Sequence, residues 1–243
     1  MSATLYGIPA SHPVLATELM LERKGIAYRR IDLPQWFHRP MLRALRFSGV
    51  TVPALKLDDG RRVQRTGVIA RVLDQIEPEP RLVPDDPRVL QIEAWCDGEF
   101  QQVGRRVSYW SLSRHPQAVD SYLAGSHLIL PRPAVKPLAP AVIKLLVRHH
   151  QARDEAVRAD LANRPAMLDL IDGWIAEGAI GGADPNVGDY QVATCLALLM
   201  TFDDLRPLIA GRPAGRLALR VAPGYPGHMP AAFPKEWIES DAT

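Results

Sequence analysis

Hydrophobic and polar positions change their period along the chain, and the change divides it in two. Residues 3–7 form a short apolar run stopped by Gly7 and Pro9, which predicts a first strand. Val14, Leu15, Leu19, Met20 and Leu21 then recur near helical spacing before Lys24 and Gly25, a basic last turn with a glycine stop. Residues 26–33 read as a second strand, and 38–48 as a weaker helix. Residues 52–57 and 62–64, on either side of Asp59-Gly60, read as a hairpin. Val68, Ile69, Val72, Leu73 and Ile76 mark a helix that stops before Pro78. The predicted order is β-α-β-α-β-β-α. Its first two strands should be parallel through a right-handed crossover, and the hairpin should add antiparallel strands. That is a mixed sheet with helices on its faces.

Residues 78–87 are charged and proline-rich and read as an exposed linker. Strand signals stop there. Helical patterns follow at about 88–112, 134–160, 165–178 and 187–202. The tail from Arg212 holds Gly-Tyr-Pro-Gly and further prolines and is expected to be extended, packed on the body. The fold class is therefore α+β: a mixed-sheet domain at 1–77, a linker at 78–87, and an all-helical domain at 88–243 with an extended tail.

Composition narrows the function. The 243 residues are 47% hydrophobic and 23% charged, the balance of a globular protein. With 29 basic and 27 acidic residues the net charge is +2, which creates no field for a polyanion and argues against nucleic acid. Two cysteines, Cys96 and Cys195, make no disulfide framework and no cysteine-rich metal site, and each lies in an apolar helical stretch. The apolar run 190–202 has 13 residues, too few to cross a bilayer. The first 17 residues carry no Lys or Arg and are broken by Gly7, Pro9 and Pro13, unlike a signal peptide. The expectation is a cytoplasmic protein with no membrane and no metal.

Three segments of the first half could carry chemistry: Ser11-His12-Pro13 between strand and helix, Thr51-Val52-Pro53-Ala54-Leu55 at the start of a strand, and Arg65-Thr66-Gly67-Val68-Ile69 at the head of a helix. Ser11 and Thr66 each suit a helix N-cap. The same place suits an anion, because free N–H groups and the helix dipole converge there. A thiol held at such a point ionises more readily than an ordinary thiol of pKa about 8.5. Cap and catalyst are both open for Ser11. His12 reads as solvent-facing or as part of a pocket. Asn186-Val187-Gly188-Asp189 has the pattern of a reciprocal helix cap. No cysteine lies near position 11, so dithiol–disulfide chemistry lacks its nucleophile.

In order and spacing these segments resemble the glutathione S-transferase superfamily, as a divergent bacterial member. The resemblance implies a thioredoxin-like domain followed by an all-helical domain, and a homodimer through both. It implies that Ser11 occupies the catalytic position and that Val52–Pro53 is a cis bond at which Val52 fixes the backbone of a thiol. It implies that Arg65 and Thr66 bind the thiol's polar end. The cosubstrate would be glutathione or another low-molecular-weight thiol, transferred to an apolar electrophile. Tyr109 and Trp110 would wall the electrophile pocket or lie in the core. Trp36, in Trp36-Phe37-His38, would form its rim or a hydrophobic plug. Arg65 stands where the family carries an acid or glutamine that meets the ammonium group of glutathione. An arginine accepts no hydrogen bond, which points to weak glutathione binding or to a different thiol. The competing reading is a ligand-binding or assembly protein that keeps the fold without thiol transfer.

Overall fold

The computed structural model describes residues 2–238. Four strands, β1 (Ser2–Gly7), β2 (Ala27–Asp32), β3 (Ala54–Leu57) and β4 (Arg62–Gln64), form one sheet in the order β2-β1-β3-β4. β1 and β2 are parallel, with Ser2 opposite Ala27 and Gly7 opposite Asp32. β3 runs antiparallel to β1 and to β4. Side-chain alternation gives each strand two faces. Leu5 and Leu55 enter one cluster with Val14, Met20 and Leu21 of α1 (His12–Arg23) and Ile69 and Leu73 of α3 (Thr66–Ile76). Tyr6 and Ala54 enter another with Leu42 of α2 (His38–Ala44) and Phe47. Helices thus cover both faces.

The segment 78–87 is not a free linker. Leu82 is fully buried, and the Asp74 carboxylate accepts from the Leu82 and Val83 amides at 2.9 and 2.8 Å. Asp74 also pairs with the buried Lys24 ammonium at 2.7 Å. The Leu82 carbonyl accepts from Val187 N at 2.8 Å. Charge and proline content suggest exposure; one leucine and one capping carboxylate are enough to dock the strap.

The remainder is helical. α4 (Pro87–Trp95) continues through a π-helical turn, Cys96–Phe100, into α5 (Gln101–Arg114). Two short helices, α6 (Val119–Tyr122) and α7 (Arg132–Val135), follow α5, and the pattern at 134–160 resolves mainly into α8 (Ala139–His149) and α9 (Asp154–Ala162). The break at Gln151, with φ of 53°, turns the chain between α8 and α9 and buries Ala152. α10 (Arg164–Ala176) and α11 (Val187–Leu199) follow. Every residue of α11 is buried, and its first turn contributes Val187 and Tyr190 to the sheet-side core. One helix therefore belongs to both hydrophobic clusters.

α11 starts on a complete reciprocal cap. Asn186 Oδ1 accepts from Gly188 N and Asp189 N, and Asp189 Oδ2 accepts from Asn186 N at 2.9 Å. Asp189 Oδ1 also accepts from Gly181 N at 2.6 Å, so the carboxylate ties the preceding loop as well.

The tail differs from the extended segment the prolines suggest. After α12 (Arg206–Ala210), residues Pro213–Val221 form α13, packed on α11. Pro213 opens this helix, where its missing N–H costs nothing. Ala214 N is held by Asp172 Oδ1 at 2.7 Å. Gly215 allows close approach: a Cβ there would lie 2.1 Å from Ile209 O. Beyond it the chain is extended, pairs Met229 with Phe202, and ends among the described residues in α14 (Lys235–Ile238). The architecture is a thioredoxin-like mixed sheet followed by an all-helical body.

Candidate active site

An apolar cavity of about 170 Å³ lies between the sheet domain and α5 and α8. The loop before α1 and the residues Val52, Gln35 and Trp36 line one side. Tyr109 and Leu112 of α5, with Val142, Ile143 and Leu146 of α8, line the other. Leu128 closes an end, because residues 127–129 pair with the free edge of β2. That edge contact is made by Asp32, whose N donates to His127 O at 2.8 Å and whose Oδ2 accepts from His127 N at 2.9 Å.

Ser11 stands at the N-cap position of α1, but its hydroxyl caps nothing. Pro13 removes one of the first-turn donors, and Leu15 N bonds the Ser11 carbonyl at 3.0 Å. The side chain lines the cavity at the positive end of the helix. Ala10, just before it, has φ of 50°, a left-handed backbone that an alanine adopts under strain. The Ala10 carbonyl accepts from the hydroxyl of the half-buried Tyr225 at 2.6 Å. The chain after α13 thus reaches back to fix the loop that presents Ser11.

His12 does not face solvent. It is 6% exposed and lines the cavity. Burial, helped by the Arg105 charge, lowers its pKa to about 3, so the ring is neutral. Gly104 of α5 packs beside it: a Cβ there would meet the His12 ring at an ordinary contact of 3.8 Å and would crowd Cys195 Sγ at 3.1 Å. The Val52–Pro53 peptide bond is cis, and Val52 lines the cavity.

Thr66 is 3% exposed and does not line the cavity that holds Ser11. It borders a separate hollow of about 10 Å³, room for one water, with His12, Pro13, Gln101 and Gln191. Gln191 Oε1 is buried without a partner among the described residues, while its Nε2 donates to Asp97 at 2.9 Å. Arg65 occupies a left-handed backbone, φ 74°, at the head of α3. Its guanidinium is mostly exposed and pairs with Asp97 Oδ2 at 3.3 Å.

The two aromatic neighbours on α5 separate. Tyr109 lines the cavity, stacks on His150 and accepts from Gln35 Nε2. Trp110 points the other way, because adjacent helical positions diverge by about 100°. It is 3% exposed, stacks on Phe233, donates to Asp154 Oδ1 at 2.8 Å, and carries Arg114 over its ring. It belongs to the helical core. Trp36 lines the cavity.

Two polar cavity residues of α5 carry no sequence motif. Arg105 and Ser108 line the space from α5. Arg105 forms no ion pair or hydrogen bond among the described residues, and burial lowers its pKa. Ser108 Oγ is buried without a partner among the described residues. The signal is present in the sequence: Arg105, Ser108, Tyr109 and Leu112 fall at i, i+3, i+4 and i+7, one face of a helix. No short motif marks it. Cys96 and Cys195 are buried, and burial raises the Cys195 pKa to about 12, so neither supplies a thiolate at neutral pH. Among the described residues no group of three or more His, Cys, Asp or Glu side chains could hold a metal ion, and no helix is long and apolar enough to cross a membrane.

Residues 5–81 match the family model of the glutathione S-transferase N-terminal domain. Among solved structures, a glutathione S-transferase from Rhodospirillum rubrum is 19% identical with a TM-score of 0.57, and the match covers 98% of each chain. A glutathione transferase from Phanerochaete chrysosporium is 17% identical with a TM-score of 0.61, over 92% of this chain and 98% of that one. A glutathione S-transferase of Ceriporiopsis subvermispora, in complex with glutathione, is 16% identical with a TM-score of 0.55, over 90% and 95%. No curated protein matches the chain.

Proposed function

We propose that this chain, a divergent member of the glutathione S-transferase superfamily, joins a low-molecular-weight thiol to an apolar electrophile, with Ser11 stabilising the thiolate. The observation that carries this reading is the Ser11 hydroxyl, unused as a cap and lining an apolar cavity at the positive end of α1. A thiolate there would accept from the hydroxyl while its proton leaves to water. Its sulfur lone pair would form the new C–S bond as the electrophile's leaving group departs with the bonding electrons. The neutral His12 beside it adds no charge and keeps water out. Val52 would hold the thiol's backbone.

Glutathione is the cosubstrate suggested by the superfamily and by the neighbour that carries it. Arg65 and the one-water hollow at Thr66 favour weak glutathione binding or a smaller thiol. The chain is read as a cytoplasmic homodimer; light scattering at micromolar concentration tests the assembly. The reaction is tested by saturable conjugation of glutathione, or of cysteine, to a neutral aryl halide. Conjugation should disappear in Ser11→Ala while the melting temperature holds. A folded wild type with no conjugation for any thiol would leave a ligand-binding protein without transfer.

A further inference from the structure

An arginine inside an apolar cleft needs an anion. Arg105 has none: it lines a space whose walls are mostly aliphatic, and it makes no ion pair among the described residues. The groups that act on it are the neutral His12 ring, the His150 ring, Tyr109, Cys195 and, most weakly, Asp97. Asp97 is already engaged by Arg65 and Gln191. One turn along α5, Ser108 Oγ is also buried and unpartnered among the described residues. Leaving both groups desolvated and unsatisfied is costly, and a ligand that satisfies both recovers that cost.

We infer that Arg105 and Ser108 form an anion-binding point for the acceptor substrate, which is an amphipathic carboxylic acid. Its carboxylate accepts from the guanidinium and the Ser108 hydroxyl. Its apolar body lies against Leu112, Val142, Ile143 and Leu146. This rests on the reading above that the α5–α8 side of the cleft receives the acceptor, and it narrows the apolar electrophile to one with an acidic end. The unpaired charge would otherwise weaken binding of a fully apolar molecule.

Calorimetry without any thiol tests it, using 4-phenylbutyrate, its neutral amide and 4-phenylbutylamine as probes. The acid should bind wild type at least about tenfold tighter than the amide, since a charge-assisted hydrogen bond replaces a neutral one. The amine should bind most weakly. In Arg105→Gln the acid and amide should differ by no more than about twofold. Ser108→Ala, which removes one atom and no charge, should lose part of the preference and serves if Arg105→Gln fails to fold. Equal binding of acid and amide by wild type would overturn the inference, as would a preference that survives in Arg105→Gln. Equal binding is also the result if Arg105 serves the thiolate instead. Thiol conjugation to a neutral electrophile is measured separately, so its failure would strike the thiol-transfer reading and leave this result standing on its own.

Discussion

Ser11 and Thr66 each stand at the head of a helix, yet they line separate hollows, with His12 and Pro13 between them bordering both. The Ser11 side opens to the apolar cavity, and the Thr66 side holds room for one water. A thiol that spans both would put its sulfur at Ser11 and its polar end at Thr66. The two positions then act on different kinetic parameters. Thr66→Val, which keeps the shape and removes the hydroxyl, should raise KM for the thiol about tenfold with kcat nearly unchanged. Ser11→Ala should lower kcat. Steady-state kinetics with the thiol varied would separate them, and a fall in kcat for Thr66→Val would contradict this division.

Asp189 should matter for folding alone. Its carboxylate accepts from Asn186 N and Gly181 N, and the side chain is fully buried. Asp189→Ala leaves two interior amides without an acceptor and should destabilise by about 2–4 kcal/mol. For a chain of this size the melting temperature should fall by roughly 5–15 °C. Conjugation per folded molecule should persist, and full stability with lost activity would contradict the capping role.

His12 makes stability depend on acidity. Its folded pKa is about 3 against an ordinary 6.5, because burial and Arg105 oppose the charged ring. Below pH 6.5 the unfolded chain takes up a proton that the folded chain refuses. Stability therefore falls as pH drops from about 6.5 toward 3, and it is fully present above that window. The contribution to the slope is about 1.4 kcal/mol per pH unit. His12→Gln should flatten the pH dependence of chemical denaturation by that amount between pH 6 and 4, relative to wild type. An unchanged slope would mean that the ring is protonated in place.

Arg65 should discriminate against glutathione. On the proposed thiol-binding reading, it carries a positive charge where the ammonium group of glutathione would approach; it also pairs with Asp97, a carboxylate that could meet that ammonium. Arg65→Gln removes the repulsion and frees Asp97. Glutathione should bind the variant about tenfold or more tighter than wild type. Micromolar binding by wild type, or no gain in the variant, would contradict this.

The sheet was legible because period two and period 3.6 are local signals. Asp59-Gly60 between two short strands marks the hairpin, and Asn186 three residues before Asp189 marks the cap. What escaped depends on packing between distant segments. Leu82 is an ordinary leucine in a proline-rich strap until Asp74 captures its amide. Pro213 reads as a breaker until Asp172 caps the helix it opens. His12 reads as solvent-facing because nothing nearby in sequence says that Gly104 of α5 packs beside its ring. Ser11 could be placed from its neighbours alone. Arg105 could not, because its significance is the absence of a partner among the described residues, and only the folded chain shows that.

The most direct measurement is the ionisation of a bound thiol, followed by thiolate ultraviolet absorbance as pH is varied. Free thiols titrate near pH 8.5. The account predicts that a thiol bound to wild type titrates at least one unit lower, and that in Ser11→Ala it returns most of the way to the free value with binding retained. A bound thiol that titrates like the free one in wild type would contradict thiolate stabilisation at the head of α1, and so would a lowered value that Ser11→Ala leaves unchanged.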